Sequence, residues 1–90
     1  FNAWLWQEVA RLYWAEGDAA GADQFYVRSL EELPGYAPAL LGRARAALAA
    51  GEPDAARSFA QQALIAAIRE RGRLPLPTVS KVLKLLAFFL

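Results

Sequence analysis

Ser29, Ser58, Thr78 and Ser80 are the hydroxyls that nucleophilic chemistry would draw on, yet the chain has no histidine to activate them. It has no cysteine either, which removes disulfides, thiolate chemistry and most zinc sites together. Glu31 and Glu32 are consecutive, and consecutive residues of a helix point in different directions, so they make no acid–base pair. The glycines stand singly and spell out no phosphate-binding loop. These residues predict no enzyme, no cofactor and no metal. Recognition is the chemistry left to them. Trp4, Trp6 and Trp14 crowd into the first fourteen residues, and tryptophans outside packing positions concentrate at interfaces. The basic stretch Arg69-Glu70-Arg71-Gly72-Arg73, with Lys81 and Lys84 beyond it, has no interleaved aromatics and matches no nucleic-acid motif. Arg69 and Arg71 complement the negative end of a helix instead, so nucleic acid is not the expected partner.

The elements that position these residues follow from a repeat. Trp6, Val9, Ala10, Tyr13, Gly17, Asp18, Ala22, Tyr26 and Leu30 recur thirty-four residues later as Leu40, Arg43, Ala44, Ala47, Gly51, Glu52, Ala56, Ala60 and Leu64. Large apolar, small, turn glycine, acid and leucine return in register. A period of this length denotes a helix–turn–helix unit stacked on itself, an architecture that presents binding surfaces. The chain is 57% hydrophobic, much of it alanine, and it shows no sustained polar–apolar alternation. An all-α fold follows.

Helical spacing predicts a first helix over Ala3–Ala15, with Trp6, Val9, Ala10 and Tyr13 inward, stopped by Gly17 and restarted by Asp18 as a cap. The second, Ala19–Leu33, turns Ala22, Phe25, Tyr26, Ser29, Leu30 and Leu33 inward and ends at Pro34-Gly35. The third spans Ala37–Ala50, with Leu40, Leu41, Ala44, Ala47 and Leu48 apolar. The fourth runs from Pro53 to near Arg71, with Phe59, Leu64 and Ile68 among its inward residues. Pro75 and Pro77 then break the register. A linker over 71–76 and a last helix over 77–90 complete about five helices, the last as a cap on the solenoid.

Trp6-x2-Val9-Ala10-x2-Tyr13, Ala22-x3-Tyr26 and Pro34 together resemble the tetratricopeptide-repeat family, with Gly17-Asp18 at the family's turn. The resemblance covers repeat one, 3–36, and repeat two, 37–70. The second copy departs from the pattern at Ala47, Ile68 and Arg43. Arg43 falls in an apolar slot and implies either a looser core or a side chain reaching solvent over its stem. The resemblance implies a right-handed stack of antiparallel helix pairs whose first helices line a concave groove for an extended peptide or a partner helix. It places Ser29 in the packing core. Carried over by position, the groove residues are Trp4, Gln7, Glu8, Arg11 and Trp14, then Pro38, Leu41, Gly42, Arg45 and Leu48. Arg11 and Arg45 hold the same slot in successive repeats, which suits a ligand carboxylate beside a bulky apolar side chain. The fuller basic and amide set of chaperone-binding members is not present.

Two further expectations concern the whole chain. Residues 1–34 carry two arginines against six carboxylates, net −4, whereas residues 35–90 carry eight bases against three, net +5; such polarity favours head-to-tail association. The last helix is apolar nearly all round, so Leu83, Leu85, Leu86, Phe88, Phe89 and Leu90 are expected to meet a second copy or a neighbouring structure. Its unbroken apolar run is too short to span a bilayer, and membrane contact is expected only through sequence beyond Leu90. Both ends read as cut from a longer protein. The expected role is a protein-binding or scaffold module that self-associates; the alternative is a regulatory or targeting appendage of an enzyme or membrane complex. Abundant alanine and arginine suggest a bacterial source, and the cytoplasm is the favoured compartment.

Overall fold

The computed structural model describes residues 2–69 and Lys84. Four helices follow one another: α1 Ala3–Ala15, α2 Ala19–Glu32, α3 Ala37–Ala49 and α4 Pro53–Arg69. Among the described residues there is no strand, and no helix is long and apolar enough to cross a membrane. The linker over 71–76, the helix over 77–90 and its self-association residues Leu83, Leu85, Leu86, Phe88, Phe89 and Leu90 lie outside the described residues.

The thirty-four-residue period is written into the backbone. Gly17 and Gly51 take φ of 86° and 76°, the left-handed geometry that glycine adopts without a Cβ clash. The N–H of Gly17 donates to the Trp14 carbonyl at 3.0 Å, and that of Asp18 to the Tyr13 carbonyl at 3.0 Å. One period on, Gly51 donates to Leu48 at 3.0 Å and Glu52 to Ala47 at 2.9 Å. Both are the paired bonds of a Schellman ending, which use up carbonyls that the helix leaves unpaired. The following helices start alike too, Ala22 donating to the Asp18 carbonyl and Ala56 to that of Glu52.

Each start has its own reason. Asn2 and Asp18 cap α1 and α2 by accepting from the N–H groups of Leu5 and Gly21, at 3.0 and 2.8 Å. Between α2 and α3, Pro34 and Gly35 (φ 83°) fill the two central positions of a turn closed by Tyr36 N–H donating to the Leu33 carbonyl at 3.1 Å. That is the type II pattern, with proline fixing the first central φ and glycine supplying the positive one. Leu33, expected inward, caps α2 with φ −142° and is therefore turned off the helical spiral into solvent. Ile68, also expected inward, is exposed.

α1 packs on α2, α2 on α3 and α3 on α4. The core is built largely of alanine. Ala10, Ala22, Ala39 and Tyr26 form one cluster; Ala37, Leu40, Leu41, Ala63 and Ala66 form the other, and Leu30 packs against both. Methyl groups let helices approach closely, and density then does the work of bulk. Ser29 is fully buried and donates its hydroxyl to the Ala3 carbonyl at 2.7 Å, tying α2 to the start of α1. Trp6 and Tyr13, expected in the core, cover its edge. Their rings stack on Phe25 at centroid distances of 5.7 and 4.9 Å, and the Arg28 guanidinium lies 5.1 Å from the Trp6 ring.

Candidate functional site

Arg11 and Arg45 stand on the first helix of each hairpin, and both influence one phenol electrostatically. Tyr26 of α2 reaches across to α3, its ring lying so close over Gly42 that a Cβ there would collide with it. Only 5% of Tyr26 stays exposed. Burial pushes its phenol pKa up from the usual 10, Arg45 and then Arg11 pull it down, and Glu8 pushes it up. Those opposing influences place Arg45, Arg11 and Glu8 within electrostatic reach of one oxygen. That hydroxyl makes no hydrogen bond among the described residues, and no fully buried side-chain polar atom there lacks a partner. Tyr36 joins from the α2–α3 turn, its pKa raised by burial and then by Glu8.

Arg11 donates to Glu8 at 3.0 Å across one helical turn. Both side chains are well exposed, so the pair contributes little and exchanges readily for another carboxylate. Arg45 is exposed and has no ion pair among the described residues. Around the arginines, Trp4 is 55% and Trp14 36% exposed, while Gln7, Pro38 and Leu48 are half-buried. Two expected members are not on this surface. Leu41 is 4% exposed and belongs to the core cluster with Ala37, Leu40, Ala63 and Ala66. Gly42 is buried beneath the Tyr26 ring. α3 buries eight of its thirteen residues whereas α1 buries only Ala3 and Ala10, so Leu41 and Gly42 fall within the wide buried surface of α3.

Tyr26 and Tyr36 were hidden from sequence reasoning because the repeat marks Tyr26 as a packing residue and says nothing of the charges around its phenol. Arg43 is the other feature that spacing left open. In the structure its side chain is partly exposed and paired. Its Nε donates to Asp23 Oδ1 at 2.9 Å and its Nη2 to Oδ2 at 3.3 Å, joining α3 to α2. The guanidinium also lies 4.4 Å from the Phe59 ring centroid of α4, a stacking that suits a planar cation. The paired acid on α2 was the available signal, since Asp23 and Arg43 both fall among small residues.

Repeated helical hairpins joined by matched glycine turns, with two arginines in equivalent slots, define a helical-repeat module. A family model described as tetratricopeptide repeat matches residues 13–68, more than half of the chain. The chain belongs to the tetratricopeptide-repeat family. No curated protein and no solved structure matches it. Repeats of this family generally mediate protein–protein interaction or scaffolding and are typically non-catalytic.

Proposed function

We propose that the chain binds an extended, acidic segment of a partner protein on the face shared by α1 and α3. The observation that carries this reading is that Arg11 and Arg45, in equivalent slots of α1 and α3, are both exposed, and both lower the pKa of the Tyr26 phenol. Two guanidinium groups offer only donors to a carboxylate once Glu8 is displaced from Arg11. Trp4 and Trp14, with Leu48, supply apolar surface beside them for a bulky side chain. Catalysis has no part in it, since the face holds no nucleophile with a base.

The test is a fluorescent peptide series in which one Asp or Glu lies one to three residues from Leu or Phe, titrated against the chain and its Arg11→Ala/Arg45→Ala variant. Binding should weaken at least tenfold in the variant, about 1.4 kcal/mol, and should weaken with salt in the parent. Equal affinity for the Asn or Gln counterparts of those peptides would sink the reading.

A further inference from the structure

The two arginines hold equivalent slots, yet their surroundings differ at the position one helical turn upstream. In α1 that position is Glu8, and Arg11 donates to its Oε1 at 3.0 Å and its Oε2 at 3.4 Å. In α3 it is Gly42, which has no side chain to offer and lies under the Tyr26 ring. No acid stands within one turn of Arg45 on either side along its helix. The first repeat therefore carries a carboxylate of its own against its arginine, and the second does not. Glu8 also belongs to the same electrostatic neighbourhood as the phenols. After burial, which raises the pKa of Tyr26 and of Tyr36, and the two arginines, which lower that of Tyr26, Glu8 pushes both up.

We propose that Glu8 is a specificity residue of this face, favouring segments that carry a lysine or arginine beside the carboxylate over segments that carry the carboxylate alone. The inference rests on the binding reading above and narrows it. Arg45 takes a carboxylate with no internal pair to break. At Arg11 a ligand carboxylate competes with Glu8, and on winning it leaves two negative charges next to each other. Like charges so placed disfavour the complex. A cationic residue close to the ligand's acid removes that cost, because it pairs with Glu8 as the acid pairs with the arginines. One internal ion pair is then exchanged for pairs of both signs across the interface. The Glu8 side chain is 36% exposed, within reach of such a residue.

The experiment uses fluorescent peptides that share one Asp and one Leu and carry either Lys or Gln one to four residues from the Asp. They are titrated against the chain, Glu8→Gln and Glu8→Lys, with circular dichroism to follow helical content. At the best spacing the parent should bind the Lys peptide at least about twofold more tightly than its Gln counterpart. Glu8→Gln should erase that preference and bind the Gln peptide more tightly than the parent does, since Arg11 is then unpaired by its own helix. Glu8→Lys should turn the preference against lysine. A lysine preference that survives Glu8→Gln, or a Gln peptide that gains nothing from it, would overturn the inference while leaving the binding reading intact. Undiminished binding of both peptides to Arg11→Ala/Arg45→Ala would instead sink the binding reading, and this inference with it.

Discussion

Tyr26 is a packing residue that carries a titratable group, and its two ends obey different rules. The ring needs Gly42, because any Cβ at that position would occupy the space the ring takes. The hydroxyl sits where burial outweighs two arginines, so its pKa is raised in the folded chain. Tyr36 is raised as well. A folded state that holds a proton more tightly than the unfolded state is fully favoured below the unfolded pKa near 10. It loses that advantage as pH climbs through the raised folded value. Melting temperature should therefore be insensitive to these phenols between pH 7 and 9 and fall above about pH 10. In Tyr26→Phe the alkaline fall should be shallower, as read by thermal melts alongside phenolate absorbance. An unchanged slope would show that this hydroxyl is as well hydrated folded as unfolded.

The helices are where local chemistry puts them. A carboxylate or amide cap starts α1 and α2, proline stands in the first turn of α3 and α4, and a left-handed glycine ends α1 and α3. Most of this was legible in Gly17, Asp18, Pro34, Gly51 and Pro53, each acting on its own backbone within a turn, whereas the Asn2 cap and the first-turn Pro38 of α3 came from the structure. Gly17 and Gly51 have open space around a would-be Cβ, so an alanine at either is opposed by backbone strain alone. Gly17→Ala and Gly51→Ala should each cost about 1–2 kcal/mol in urea denaturation, and by similar amounts, since the two turns share one bonding pattern. A difference larger than the cost itself would mean that the repeats are not equivalent at their bends. The limits of local reasoning show at Leu33 and Leu41. Periodicity gives the direction of an apolar stripe, but not how much of the helix its neighbours cover. α3 buries eight of its thirteen residues, and Leu41 falls inside that arc.

At the scale of the molecule the two hairpins are joined by few large contacts: the Tyr26 ring over Gly42, Leu30 packed against both clusters, and the Asp23–Arg43 pair. The pair is about 30% exposed on each side, which leaves it partly screened. A double-mutant cycle with Asp23→Asn and Arg43→Met, read by urea denaturation at low salt, should give a coupling of about 0.5–1 kcal/mol. A coupling of zero would leave apolar packing alone to hold the hairpins together.

Composition, the thirty-four-residue period and the turn residues determined on their own that the chain is helical, repeated and has neither histidine nor cysteine. Each of those properties is set by a residue's own backbone preference or by its chemical type. Only the tertiary structure decided that Arg11 and Arg45 both act on the Tyr26 phenol, that Leu41 is core, and that Arg43 bridges Asp23 and Phe59. Those outcomes depend on which helices lie side by side and how far a long side chain reaches between them. The spacing of residues along one helix does not encode the angle or depth at which the next one packs.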